Sequence, residues 1–181
     1  MTTTPLAERP NMITFKGEPV TLLGTELRVG DRIPAFTVAA IDLQPTTFAD
    51  LSDNNHKAVL FILVPSIDTS VCSLETAKFN THIASLPADK IKVVTVSADT
   101  PFAQKRWASQ EKVDNLQMLS DHKDRAFADA FGVRIKELGL LARAIYLVDK
   151  DGIVRYVQTV HEVATEPDYE AVLNAARALV G

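Results

Sequence analysis

The chain is poor in several things at once. Its 181 residues include one cysteine, Cys72, and one tryptophan, and no apolar run approaches the roughly 20 residues of a membrane span. A lone cysteine cannot close a disulfide within the chain, which excludes a stapled secreted scaffold. Such a thiol is better kept reduced, so a cytoplasmic setting is expected, and insertion into a membrane is not. Basic residues are outnumbered, 19 against 23, for a net charge of -4, and none cluster beyond Lys105-Arg106. The electrostatic footprint of a nucleic-acid binder is therefore missing. The four histidines, His56, His82, His122 and His161, are too far apart in sequence for a local zinc pair and read as surface residues. No metal and no other cofactor is expected. Met1 to Asn11 is polar, holds two prolines and lacks the layout of a secretory signal. It reads as a flexible extension ahead of one domain spanning 1–181, a length that buries a full core without staples.

What the chain does have is an organising stretch. Ala58 to Val64 is a short apolar run rich in β-branched and aromatic residues, which predicts a buried strand. It ends at Pro65 and a polar turn, and from Cys72 onward the period changes. Phe79, Ile83 and Leu86 recur at steps of four and three, the apolar face of a helix with Cys72 in or near its first turn. Unpaired N–H groups and the macrodipole at a helix start favour negative charge, and hence thiolate over thiol.

The remaining elements follow in order. Met12 to Leu23 predicts an N-terminal hairpin turning at Lys16-Gly17-Glu18-Pro19. Phe36 to Ile41 and Thr46 to Phe48 read as strands, as do Ile91 to Val96 and Leu116 to Leu119. A helix is expected from Asp99 to Pro101 onward, with Ala103 and Trp107 on one face. Asp121 to Phe131 reads as another, ended by Gly132. Ala144 to Val148 and Ile153 to Val160 flank Asp149 to Gly152 as a second hairpin. The last helix opens at Thr165 to Asp168 and is expected to bury Tyr169, Val172, Leu173, Ala176 and Leu179. This alternation predicts an α/β domain with a mixed central sheet covered by helices on both faces.

Pro65, Thr69 and Cys72 make the spacing P-x-x-x-T-x-x-C, and here the chain resembles the peroxiredoxin family. Pro65 to Thr69, Ser97 to Arg106, Leu141 to Ala144 and Glu166 to Ala171 are similar to its bacterial thiol peroxidase branch. The likeness runs from about Ile13 to Leu179. It implies a thioredoxin-like fold, a homodimer, and reduction of hydrogen peroxide and alkyl hydroperoxides by a cysteine that becomes a sulfenic acid. An external thiol, thioredoxin or a small thiol, is the implied reductant.

Peroxide reduction needs a thiolate, donors that hold the O–O bond in line, and positive charge at the leaving oxygen. Free cysteines are more often inert core residues, but Cys72 stands at a helix start with the Thr69 hydroxyl within local reach. The resemblance assigns the positive charge to Arg143. Its flanks, Leu140-Leu141-Ala142 and Ala144 to Val148, are apolar, so its guanidinium needs a partner. Pro65 ends the strand and, in the family, shields the thiolate from water. In one respect the chain departs from the branch. Ala108 stands where a second, resolving cysteine usually lies, and altered neighbours favour natural divergence to a one-cysteine cycle over an engineered replacement. A dithiol carrier is disfavoured, since it would need Cys-x-x-Cys and Ser73 to Glu75 hold no second cysteine. The alternative function is a peroxide sensor that passes oxidation to a partner with little turnover.

Overall fold

The computed structural model describes residues 4–53 and 55–181. The chain opens with strands Glu8–Phe15 (β1) and Glu18–Leu23 (β2), then Val38–Ala40 (β3) and Pro45–Thr46 (β4). A short helix, Phe48–Leu51 (α1), leads to strand Ala58–Leu63 (β5) and helix Ser70–His82 (α2). Ile91–Ser97 (β6), Pro101–Glu111 (α3) and Gln117–Ser120 (β7) come next, then Ala126–Ala130 (α4) and Arg134–Ile135 (β8). The chain closes with Ala144–Asp149 (β9), Val154–Thr159 (β10) and Tyr169–Val180 (α5).

Seven strands form the central sheet in the order β10-β9-β5-β6-β7-β3-β4. β5 lies inside the sheet, parallel to β6 and antiparallel to β9, with all six residues buried. Because side chains alternate along a strand, β5 feeds two cores. Val59, Phe61 and Leu63 enter one, with Phe36, Phe127, Phe131 and the hairpin residues Ile13 and Leu22. Ala58, Leu60 and Ile62 enter the other, with Cys72, Phe79, Trp107, Val172 and Ala176 from α2, α3 and α5. This is the expected thioredoxin-like arrangement, a mixed sheet flanked by helices. Among the described residues no helix is long and apolar enough to cross a membrane.

The N-terminal hairpin forms where its turn signal lies. Lys16 and Gly17 both take positive φ, 52° and 81°, the two left-handed residues of a tight hairpin turn. β2 then pairs with β8, a small second sheet that sequence periodicity does not reveal.

Several expectations are corrected. Glu8 to Asn11 belong to β1, pinned by Arg9, which donates from Nε to the Gly24 carbonyl at 3.0 Å and from Nη2 to that of Gly132. The expected extension is that much shorter, and its residues 1–3 lie outside the described residues. The strand expected at Phe36 to Ile41 contracts to Val38–Ala40. Phe48 begins α1 instead of ending a strand, because the Asp50 carboxylate reaches back to accept from both the N–H and the hydroxyl of Thr47, the residue before the helix. The helix expected from Asp121 starts only at Ala126. The Asp121 carboxylate accepts from the N–H groups of Phe127 and Ala128 at 3.0 and 2.9 Å, and Arg125 takes a φ of 56°, so 121–125 form the approach to the helix. Gly132 follows the helix at φ 65°, where a Cβ would collide with the Thr25 carbonyl. In α5, Tyr169 and Leu179 are half-buried and Val180 takes the core position.

Candidate active site

The site is built where β5 hands over to α2. Pro65 is buried and ends the strand; the polar turn behind it is held from a neighbouring strand. Asp99, just past β6, accepts from the Ser66 hydroxyl at 2.7 Å and from the Ile67 N–H at 2.8 Å. Thr69 is the N-cap of α2, in extended conformation, with its hydroxyl oxygen accepting from the Cys72 N–H at 3.2 Å. The same hydroxyl donates to the Ser66 carbonyl at 3.3 Å rather than to the sulfur. Cys72 therefore sits in the first turn of α2, with its side chain fully buried.

Arg143 reaches the thiol across 71 positions of sequence. It precedes β9 and is 1% exposed, the bulkiest of the fully buried side chains. Its Nη2 lies 3.0 Å from the Cys72 Sγ, and its Nε donates to the Val163 carbonyl at 2.8 Å. Nη1 donates to the Glu75 carboxylate, so the guanidinium is engaged on three sides. Burial works against its charge, but the carboxylate of Glu75 and the sulfur of Cys72 together hold Arg143 above its ordinary pKa. The sequence expectation that this arginine needs partners is met, and its contact with the sulfur joins Arg143 to Cys72 and to the Thr69 cap, while Pro65 lies buried where β5 gives way to the turn before α2.

Glu75 was not among the expected site residues. It is fully buried one turn after Cys72, and burial pushes its carboxyl up to about 7 even though Arg143 pulls it down. The signal was present: an acid at the i+3 position of Cys72 falls on the apolar face of α2. What the sequence does not show is that Arg143 arrives there.

Two further contacts brace the helix. Trp107 of α3 donates from its indole N–H to the Ser73 hydroxyl at 3.0 Å, and Ala108 beside it is half-buried against the same core as Cys72. Toward α5, Lys78 pairs with Glu166 at 2.8 Å, which also accepts from the Tyr169 hydroxyl at 2.7 Å. The histidines lie elsewhere. His82 and His161 are exposed, but His56 and His122 are half-buried against Asp53 and Ser120, a correction to the surface reading of all four. No group of three or more His, Cys, Asp or Glu that would suit a metal occurs among the described residues.

Fold and site together define a thioredoxin-like protein with one buried cysteine set against a guanidinium, the layout of cysteine-based redox chemistry. Residues 29–157 match the AhpC/TSA family, and the chain belongs to it. It is 50% identical over 166 residues to a thiol peroxidase of Halalkalibacterium halodurans, covering 92% of this chain and 97% of that one. A thiol peroxidase of Bacillus subtilis is 46% identical over 168 residues, 93% and 98% of the two chains. A crystal structure of a peroxiredoxin-like protein from Aquifex aeolicus superposes with a TM-score of 0.85 at 39% identity, over 98% of this chain and all of that one.

Proposed function

We propose that the chain is a thiol-dependent peroxidase that reduces hydrogen peroxide and alkyl hydroperoxides. The observation that carries this reading is the 3.0 Å approach of Arg143 Nη2 to the sulfur of Cys72, which is fully buried at a helix start. The family membership and the names of its relatives support it.

In the proposed reaction the Cys72 thiolate attacks one peroxide oxygen, an S–O bond forms as the O–O bond breaks, and Cys72 becomes a sulfenic acid. The second oxygen departs as hydroxide or alkoxide and takes a proton to leave as water or alcohol. Arg143 faces that developing charge. Thr69 orders the first turn through its cap, and its hydroxyl, now spent on the Ser66 carbonyl, is placed to turn toward a bound peroxide. In this reading Pro65 keeps water from the sulfur.

Regeneration comes from outside the chain, because no second cysteine exists. An external thiol condenses with the sulfenic acid to release water and leave a mixed disulfide, and a second thiol equivalent restores Cys72. The buried sulfur requires the first turn of α2 to open for this step. The reductant is thioredoxin or a small thiol, and the working place is the cytoplasm, where thiols stay reduced. The active form is a homodimer; Phe102, 69% exposed, and Leu74, 48% exposed, offer apolar contact area. Sedimentation equilibrium giving a mass near 19.8 kDa would refute the dimer.

Steady-state peroxide consumption, supplied in turn with small thiols and with a thioredoxin system, tests the function. Sustained turnover lost in Cys72→Ser is expected. A single turnover followed by arrest with every reductant would favour the sensor reading.

A further inference from the structure

Glu75 has no place in the apolar pattern of α2, yet it is as deeply buried as the thiol it follows. Its Oε2 accepts from Nη1 of Arg143 while Nη2 of the same group faces the sulfur, so one cation stands between two acids. A thiolate and a carboxylate together carry one more negative charge than Arg143 neutralises, and excess charge without water is costly. No neighbouring element makes up the difference. On α2, Lys78 is turned to Glu166. Ahead of α5, Glu166 is held ionised by hydrogen bonds from Lys78 and the Tyr169 hydroxyl, and so adds repulsion. Tyr169 itself is half-buried and held in its neutral form by that burial and by its bond to Glu166. The second carboxyl oxygen of Glu75, Oε1, finds no hydrogen-bond partner among the described residues, a deficit that a neutral carboxyl bears better than a charged one.

We propose that Glu75 is a positioning residue with a switchable charge: its carboxyl holds Arg143 against Cys72, and the presence or absence of its proton sets how much of the guanidinium's charge reaches the sulfur. The hydrogen bond survives in both forms, since a protonated carboxyl still offers a carbonyl oxygen to Nη1. When Glu75 is neutral, Arg143 serves the thiolate undivided; when it is ionised, the cation is shared. Burial, aided by Glu166 and opposed by Arg143, places this exchange at about pH 7. Only the consequence for peroxide turnover rests on the peroxidase reading.

The test therefore reads the sulfur without peroxide. Iodoacetamide alkylation of Cys72, followed between about pH 5 and 9, is expected to show an inflection as Glu75 gives up its proton at about pH 7. Glu75→Gln keeps the acceptor and the shape but removes the charge. It should remove that inflection and raise alkylation at neutral pH, roughly tenfold. A Glu75→Gln profile that superimposes on that of the unmodified chain overturns the proposal. Infrared spectroscopy of the unmodified protein does not depend on the variant folding. A protonated-carboxyl band that fades as the pH rises through about 7, and that moves when Cys72 is alkylated, is expected. The absence of that band, or its indifference to alkylation, overturns the proposal equally. Both signatures in a protein that fails to consume peroxide would support this role and count against the peroxidase reading.

Discussion

The two faces of the central sheet handle buried charge in opposite ways. On the face covered by the hairpin, α1 and α4, the core is aromatic: Phe127 stacks on Phe131 at 4.0 Å between ring centres, and Phe36 meets Phe127 edge-on at 4.8 Å. The buried acid there, Asp121, spends both carboxylate oxygens on the N–H groups of α4. Burial raises its pKa while those bonds resist. On the face covered by α2, α3 and α5, Glu75 keeps one oxygen without a partner and shares its cation with a thiol. Burial alone therefore does not separate structural charge from functional charge. A structural carboxylate is saturated by fixed backbone donors; the other kind is left in competition for a group that the chemistry also uses.

The comparison breaks most sharply through its large side chains. Arg143→Leu should cost about 3–5 kcal/mol, because it strands Glu75 as an unpaired buried acid, and chemical denaturation should show it. Phe131→Ala on the aromatic face should cost a similar 3–5 kcal/mol through the cavity it leaves. The two should part in the chemistry. The folded fraction of Phe131→Ala keeps its rate of reaction with peroxide, while even the milder Arg143→Lys loses rate at an intact fold, having the charge without the planar fork. A fully active Lys variant would make the arginine structural.

The next effect is in pH. A carboxyl whose folded pKa is raised, as at Glu75 from 4.5 to about 7, binds more protons folded than unfolded between those values. Stability should therefore fall as pH rises through that window, by up to about 3 kcal/mol, and level off above it. Glu75→Gln should flatten this slope in denaturation midpoints taken across the window. The smallest effect belongs to the cap: Thr69→Ala should cost about 1 kcal/mol and fray the turn that carries Cys72. A Trp107 fluorescence signal that reports α2 loosening before global unfolding would sharpen that difference, since its indole bonds to Ser73.

How much of this the sequence carried varies by region. The run from Ala58 to Cys72 was legible because a fully buried strand and a helix start both leave local patterns, and the Lys16-Gly17 turn because two left-handed residues demand it. The bounds of α4 were not, because they are set by a side chain: Asp121 supplies the cap that a periodicity reading takes for helix. The pairing of β2 with β8 was hidden for the same kind of reason, as a two-residue strand has no period. At the site, Arg143 announced itself by lying among apolar neighbours, whereas Glu75 needed a partner 68 positions away to make sense. Long-range pairing is what a single sequence shows least.

With one thiol per chain, oxidation has a distinct product. Mass spectrometry after stoichiometric peroxide, without added thiol, should find oxygen added at Cys72 and, with excess, further addition. Ala108→Cys should instead give loss of hydrogen as a bridge to Cys72 forms after local unwinding.

The central claim is that Cys72, buried against Arg143 at the start of α2, is an activated thiol. Stopped-flow mixing of the reduced protein with hydrogen peroxide, followed by Trp107 fluorescence and repeated with Cys72→Ser, tests it most directly. The account predicts reaction far faster than that of free cysteine and none in the Ser variant. A rate no better than free cysteine, in a folded protein, would contradict it.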